Sequence, residues 1–225
     1  MIRQLAFELP PQEAWRRADF FVSPANALAL ATVDDWRNWP LGKLLLIGPE
    51  GSGKTHLAHL WAEETGAALI PATALGHSDL PALAAGGAVC VEGAEAVAGH
   101  AEREEALFHL HNMLTPGGRL LLTARMPARD WGMRLPDLAS RMGAAPIARL
   151  EAPDDALLSA VLVKLFADRQ VSVAPNLIPW LVVRMERSLA AARELVAALD
   201  ARALAEGKPI SRAMAAALLD SAGPE

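Results

Sequence analysis

Hydrophobic positions follow two different periodicities along this chain of 225 residues. Short apolar runs bounded by glycine or proline predict buried parallel strands, because such strands are covered on both faces. Runs of this kind lie at residues 43–47, 67–71, 88–92, 119–123 and 146–150. Between the runs, apolar residues recur at helical spacing, most clearly over 56–64 and 102–114. This alternation predicts an α/β fold in which helices flank a five-stranded parallel sheet.

The pattern changes at residues 151–153, after which every predicted element is helical. The predicted helices span residues 154–168, 175–186, 188–206 and 211–219. Asp154 and Ser188 stand where helix N-caps are expected, since their side-chain oxygens can accept backbone N–H groups. We therefore expect an α/β nucleotide-binding domain over residues 13–152 and a small all-α lid domain over residues 153–225.

The first predicted strand leads into a glycine-rich motif. Its sequence, Gly48-Pro49-Glu50-Gly51-Ser52-Gly53-Lys54-Thr55, fits the phosphate-binding pattern G-x-x-x-x-G-K-[ST] and is followed by a predicted helix. A strand, a glycine turn and a helix N-terminus together surround a phosphate with backbone N–H groups and the positive end of a helix dipole. Lys54 would reach the β- and γ-phosphates, and the Thr55 hydroxyl would hold Mg²⁺. The motif predicts a bound nucleoside diphosphate or triphosphate.

Polar residues also follow two later strands. Glu92 ends the third strand, and a carboxylate placed there, downstream of a P-loop, is what a Walker B magnesium site requires. The next residue is Gly93, which has no side chain to orient an attacking water. The fourth strand ends at Thr123, Ala124 and Arg125, and the sequence leaves open which of the three senses the γ-phosphate.

Composition narrows the function classes. The net charge is −5 at pH 7, whereas proteins that bind nucleic acid usually carry excess positive charge. We therefore expect no strong intrinsic DNA binding. A single cysteine, Cys90, lies inside an apolar strand and excludes a disulfide framework. No apolar run approaches 18 residues and the N-terminus is not a signal peptide, which predicts a cytoplasmic protein without membrane association.

The N-terminal residues 1–12 are unlike the start of a domain. Leu5, Phe7 and Leu9 would share one face of an extended segment, while Gln4 offers amide hydrogen bonds. One interpretation is a linear docking peptide for the groove of a partner. The other is a strand that pairs with its own domain.

The combined pattern resembles that of the AAA+ ATPases, which are P-loop α/β proteins with a helical lid. Gly53-Lys54-Thr55-His56-Leu57 resembles the P-loop ending of the replication initiator DnaA and its relatives. Leu135-Pro136-Asp137-Leu138-Ala139-Ser140-Arg141 is similar to the arginine-finger box of the Hda-like regulators, and residues 4–9 are similar to their clamp-binding peptide. The resemblance covers essentially the whole chain. The chain stops at Glu225, too early for the DNA-binding helix-turn-helix domain of DnaA, which favours a regulator over an initiator.

The resemblance implies a role for each matched residue. Arg141 would be the arginine finger presented to the nucleotide of a neighbouring AAA+ subunit, and Arg193 the sensor arginine that contacts phosphates. Phe21 and Val22 would line the adenine pocket, although ordinary core packing explains both equally well. The remaining implied nucleotide ligands are Gly48, Pro49, Glu50, Gly51, Ser52, Gly53, Lys54, Thr55 and His56. Magnesium would be shared by Thr55 and Glu92.

The function implied by this resemblance is inactivation of DnaA. Residues 1–12 would dock on the DNA polymerase sliding clamp, and Arg141 would stimulate hydrolysis of DnaA-bound ATP in trans. This chain would itself hold adenine nucleotide, with ADP the expected ligand, and would hydrolyse it weakly or not at all because of Gly93. The sequence leaves the preference between ADP and ATP open. A homo-oligomer is compatible with the resemblance. Two alternatives are a self-sufficient AAA+ ATPase such as a helicase loader acting on DNA, and a nucleotide-independent scaffold with a vestigial P-loop.

Overall fold

A computed structural model describes residues 15–115 and 117–221. Its strands are β1 (Lys43–Ile47), β2 (Ala68–Pro71), β3 (Ala88–Glu92), β4 (Arg119–Ala124) and β5 (Ile147–Arg149). They form one sheet in the order β2-β3-β4-β1-β5, and every pairing is parallel. The predicted five-stranded parallel sheet is therefore confirmed. The predicted docking peptide, with Gln4, Leu5, Phe7 and Leu9, lies outside the described residues.

Helices connect the strands and then continue alone to the end of the described chain. They are α1 (Ala27–Asp34), α2 (Lys54–Thr65), α3 (Leu80–Ala84), α4 (Ala101–Leu114), α5 (Pro136–Gly143), α6 (Asp155–Asp168), α7 (Leu177–Val182), α8 (Leu189–Glu206) and α9 (Arg212–Ser221). Within the described ranges, none of them is long and apolar enough to cross a membrane.

The sheet separates two hydrophobic cores, because successive strand residues point to opposite faces. Leu45 and Ile47 of β1 join a core with residues of α4 and α5. Leu44 and Leu46 join the opposite core with α1 and α2, where Trp61 is 2% exposed. Burial on both faces explains why the strands read as continuous apolar runs.

Helices α6 to α9 form the C-terminal helical region, which has a core of its own. Its helices start where the caps were predicted: Asp154 accepts the N–H of Leu157 at 2.8 Å, and Ser188 accepts the N–H of Ala191 at 3.2 Å. The predicted helix over residues 175–186 is shorter than expected. It ends at Val182, and the chain then turns, with the N–H of Arg184 bonded to the carbonyl of Leu181 three residues back at 2.9 Å.

The strand order brings three chain segments to one edge of the sheet. Strands β3, β4 and β1 are neighbours, so their carboxyl ends lie side by side. The register pairs Leu46 with Thr123, which sets the end of β4 level with the start of the P-loop. In open α/β sheets, ligands bind in the crevice outside these strand ends.

Candidate nucleotide-binding site

The P-loop folds tightly between β1 and α2. Gly51 and Gly53 have φ of +68° and +100°, a left-handed backbone that residues with a Cβ rarely adopt. Helix α2 begins at Lys54, immediately after this turn. The Lys54 ammonium donates to the carbonyl oxygens of Gly48 at 2.8 Å and Pro49 at 2.7 Å. The lysine therefore lies across its own loop, at the helix N-terminus where an anion is favoured.

Two glycines of the loop are also required for space. A Cβ on Gly48 would lie 2.6 Å from the carbonyl oxygen of Leu150, and one on Gly51 would lie 1.9 Å from Ser188 Oγ. Ser52, between them and the lysine, is 3% exposed, and its Oγ has no hydrogen-bond partner within the described residues. A buried hydroxyl without a partner costs free energy, so a phosphate oxygen would satisfy it.

Charged side chains surround the lysine. Burial lowers the pKa of Lys54, with the Glu95 carboxylate opposing this and the Arg125 guanidinium adding to it. Arg125 forms an ion pair with Glu50 of the P-loop at 2.9 Å, and its backbone N–H donates to Glu95 Oε1 at 3.1 Å. The other oxygen, Glu95 Oε2, is buried and has no partner among residues 15–115 and 117–221. Arg125 thus ties the P-loop to the segment after β3.

The three predicted sensor positions at the end of β4 have different surroundings. Thr123 is 3% exposed, and its hydroxyl accepts the N–H of Gly93 at 3.1 Å, so it is committed to the turn after Glu92. Ala124 is fully buried and carries no polar side chain. Arg125 alone of the three presents a charged group towards the P-loop. Glu92 stands half-buried at the carboxyl end of β3, and its role at a Walker B site stays a prediction.

A cavity of about 870 Å³ lies between the P-loop and the C-terminal helical region. Phe21, Ser52, Gly53, His56 and Arg193, all predicted nucleotide ligands, share its walls. Further apolar wall residues are Trp15, Phe20, Leu157, Val161, Leu165, Leu189 and Ala197. The volume is in the range of small-molecule sites, and charged residues, among them Asp19, Lys164 and Asp168, share the walls with the apolar ones.

Val22 departs from its predicted place in this cavity. Its side chain is 60% exposed, whereas the neighbouring Phe21 packs against the core of the C-terminal helical region. Phe20, on the other side of Phe21 in the chain, lines the cavity instead.

Aromatic contacts organise one wall of the cavity. The indole of Trp15 stacks on His59 with ring centroids 4.8 Å apart, and the Arg193 guanidinium lies 5.4 Å from the centre of the same indole. His56 meets Trp15 and Phe20 edge-on, at 5.2 Å from each. Burial lowers the pKa of His56, so the imidazole is held neutral in this wall. The cation–π contact between Arg193 and Trp15 holds the positive charge of Arg193 on the cavity surface.

Arg141 does not join this group. It is exposed near the end of α5, where its guanidinium lies 4.9 Å from the Phe108 ring centre and donates to Asn112 Oδ1 at 3.0 Å. Lys43, the first residue of β1, has its pKa lowered by burial and next by the charge of Arg141. Arg141 is therefore close to the amino end of β1, while the P-loop follows its carboxyl end.

The donor set at the P-loop edge fits adenine nucleotide with magnesium. The Ser52 hydroxyl and Lys54 ammonium are donors suited to phosphate oxygens. The exposed Thr55 hydroxyl and the Glu92 carboxylate are oxygen ligands of the kind Mg²⁺ prefers. Across the described ranges, no cluster of three or more His, Cys, Asp or Glu side chains could hold a metal. Phosphate oxygens would complete the magnesium shell, as is usual for this ion.

Solved structures with the same architecture place this geometry in context. Domain III of the Thermotoga maritima replication initiation protein DnaA superposes with a TM-score of 0.76 and 16% identity, covering 92% of this chain and 96% of that one. The fold is that of DnaA domain III. AMPPCP-bound DnaA from Aquifex aeolicus gives a TM-score of 0.65 and 16% identity, covering 82% of this chain and 64% of that one. The FIGL-1 AAA domain in complex with ADP gives 0.62 and 13%, covering 81% and 70%. No protein-family model matches the chain.

At these identities the similarity to DnaA establishes the AAA+ fold, and the chemistry has to come from residues of this chain. The sequence did not single out Trp15 or Glu95, and it left Arg125 as one of three candidates. Trp15 carried a usable signal, because it is an aromatic residue upstream of the P-loop strand. Glu95 carried none, since only the folded chain brings it beside Lys54 and Arg125.

Proposed function

We propose that this chain is an Hda-like regulator of replication initiation that binds adenine nucleotide and supplies Arg141 in trans to an ATP-bound DnaA-type partner. The partner hydrolyses its ATP, and this chain activates that hydrolysis. The likeness of this fold to DnaA domain III supports a DnaA-type partner.

The position of Arg141 carries the proposal. It lies near Lys43, and the five residues of β1 place the P-loop roughly 16 Å further along the strand, at about 3.3 Å per residue. A guanidinium at that edge cannot serve the nucleotide of its own chain. It is exposed, however, and can serve a nucleotide on a neighbouring molecule.

The chemistry expected of Arg141 is electrostatic. Negative charge develops on the transferred phosphoryl group and its oxygens, and a guanidinium placed there stabilises the transition state more than the ground state. An arginine supplied in trans raises the rate of other NTPases by about 10³–10⁵. The partner would be left in its ADP form.

The nucleotide of this chain has a separate role. Ser52 and Lys54 would bind its phosphates, Arg193 would contact them from the C-terminal helical region, and the base would lie in the aromatic cavity. Gly93 offers no carboxylate to orient water, so we expect weak or no hydrolysis and ADP as the resident ligand. The nucleotide would act as a structural ligand that joins the two parts of the molecule.

The experiment for the arginine uses DnaA-type initiator loaded with labelled ATP, together with sliding clamp on DNA. Arg141→Ala should lower the stimulated hydrolysis by about 10³-fold or more while the variant still binds nucleotide. Arg129→Ala is the matched control, because that guanidinium is 79% exposed and its one ion pair within the described part of the chain is with the adjacent Asp130 at 3.7 Å. Normal stimulation by Arg141→Ala would show that the finger assignment is wrong.

Clamp docking is a second part of the proposal, and it belongs to Gln4, Leu5, Phe7 and Leu9. An amide followed by alternating apolar residues suits an apolar groove on a partner. Pull-down with sliding clamp should be lost on combined Gln4→Ala and Leu5→Ala substitution, with nucleotide binding unchanged. Retention of the clamp by this variant would remove the docking peptide from the proposal.

One observation favours a self-sufficient AAA+ ATPase instead. Glu95 places a carboxylate near Lys54, and its Oε2 is buried without a partner among the described residues, so it could supply the group that Gly93 lacks. Such an enzyme would turn over ATP without any partner, and Glu95→Gln would abolish the turnover. A helicase loader would also bind single-stranded DNA with an affinity that falls steeply with salt.

A further inference from the structure

A polar network at the amino-terminal edge of the sheet leads from the protein interior to Arg141. Lys43 and His111 are 5% and 3% exposed, and the Lys43 ammonium contacts His111 Nε2. His111 Nδ1 lies 3.4 Å from Asn112 Oδ1, and the same oxygen accepts from Arg141 Nη1 at 3.0 Å. The network therefore runs through four side chains and ends at the exposed guanidinium.

The direction of the hydrogen bonds follows from the charges. Lys43 has only donors, so Nε2 of a neutral His111 is the acceptor for it and Nδ1 carries the ring proton. Burial lowers the pKa of His111, and the Lys43 charge lowers it further, which keeps this ring neutral. The Nδ1–H group faces the oxygen of Asn112, so the amide is oriented with its oxygen towards Arg141.

The Phe108 ring packs against the same guanidinium with its flat face. The Arg141 Cζ atom lies 4.9 Å from the ring centre, within cation–π range. Phe108 and Asn112 are four residues apart on α4, so both side chains lie on one face of that helix. A stacked ring and a single oriented acceptor together restrict a side chain that otherwise has many rotamers.

We propose that Asn112, with Lys43 and His111 behind it, is a positioning residue that holds Arg141 in the orientation used on a partner's nucleotide. The proposal rests on the proposed function, because it concerns the arginine assigned there as the trans-acting group. Ordering the guanidinium before the partner arrives lowers the entropic cost of reaching the transition-state geometry. Asn112 itself touches no nucleotide.

The test compares Asn112→Ala with Asn112→Asp in the stimulated hydrolysis of initiator-bound ATP. Removing the acceptor should lower the maximal stimulated rate about tenfold and leave the half-saturating concentration of this protein unchanged. Asn112→Asp keeps an oxygen at the same place and should restore most of the rate. Met113→Ala is the control, since that side chain is on the same helix and 45% exposed.

A structural readout makes the positioning proposal separable from the proposed function. The Arg141 side-chain Nε–H resonance should be resolved in the wild type and Asn112→Asp, and should collapse towards the free-arginine position in Asn112→Ala. If Arg141→Ala abolishes stimulation while Asn112→Ala keeps it in full, the positioning role is overturned and the function stands. If Arg141→Ala stimulates normally, the proposed function and the positioning role of Asn112 are both wrong. A loss of rate in Asn112→Ala that Asn112→Asp does not restore would also overturn the positioning role.

Discussion

The backbone N–H of Leu189 donates to the carbonyl oxygen of Gly51 at 2.8 Å. This bond joins the P-loop directly to the first turn of α8, whose N-cap is Ser188. Any displacement of the C-terminal helical region that moves α8 must therefore break this bond or carry the loop with it. The nucleotide site and the helical region are mechanically one unit at this point.

Gly51→Ala should destabilise the protein more than its backbone angle alone requires. The new Cβ would lie 1.9 Å from Ser188 Oγ, and the residue would keep a φ of +68°. Left-handed backbone costs about 1–2 kcal/mol in a residue with a Cβ, and forced repacking adds about 1–3 kcal/mol. Urea denaturation of both Gly51→Ala and Gly66→Ala separates the two costs, because Gly66 has φ of +70° with open space around it.

The clash also predicts a rescue. Ser188→Gly removes the obstructing hydroxyl and costs only a few tenths of a kcal/mol as an N-cap. The double variant Gly51→Ala with Ser188→Gly should recover roughly 1–2 kcal/mol relative to additivity. Additive free energies of unfolding would contradict the close approach of the two segments.

Phe21→Ala should weaken nucleotide binding, and Val22→Ala should not. Phe21 lines the cavity, whereas Val22 is 60% exposed beside it. Loss of an aromatic wall should raise the dissociation constant for a fluorescent ADP analogue about tenfold. Phe21→Leu should recover part of the affinity, since it keeps apolar area. Equal losses in the alanine variants at both positions would show that the base binds elsewhere.

Glu104→Gln should destabilise the protein by roughly 3 kcal/mol, because a buried carboxylate with several donors loses its match to them. Glu104 is 2% exposed and accepts the N–H groups of Gly99, Arg134 and Leu135 at 2.7–2.9 Å. An amide has one acceptor oxygen and would turn its own N–H groups towards these donors. Exposed Glu105 on the same helix is the control, and its glutamine variant should stay within about 0.5 kcal/mol in urea denaturation.

The same carboxylate predicts an acid dependence. Burial alone would raise the pKa of Glu104, but its backbone N–H donors and the Arg134 charge outweigh burial and lower it. The stabilisation is therefore present above the ordinary value of 4.5 and is lost as the pH falls from there through the lowered pKa. The free energy of unfolding of Glu104→Gln should fall less steeply in this acid range than that of the wild type.

His111 predicts a second pH dependence, at higher pH. Burial and the Lys43 charge lower its pKa, so below the ordinary value of 6.5 the unfolded chain binds a proton that the folded chain does not. Stability is complete above 6.5 and declines as the pH falls towards the lowered pKa, by up to about 1.4 kcal/mol per pH unit for each such group. His111→Gln should reduce this slope between pH 6.5 and 5. His109→Gln, on the exposed side of α4, should leave it as in the wild type.

Local patterns in the sequence predicted the strands, the P-loop and the caps at Asp154 and Ser188, because each depends on neighbouring residues. The sheet order and the side-chain partners across it depend on distant ones. Arg125 reaches Glu50 and Glu95, which are 75 and 30 positions away, and no short motif encodes such a bridge. The helical spacing of apolar residues was also misleading at one place. It predicted a helix up to residue 186, whereas α7 ends at Val182 and the backbone then turns.

Arg141 and the P-loop lie at opposite ends of the sheet, so the molecule has two different ends. One end of the sheet carries the P-loop and its cavity, and the other carries Arg141, which we propose acts on the nucleotide of a neighbouring molecule. Subunits that meet in this way join head to tail, through two different surfaces, and such contacts extend into open filaments unless a rotation closes them. If the proposed function holds, this chain would sit at the end of a row of initiator subunits and act only on the one it touches. Each further subunit would be reached only after that one has left.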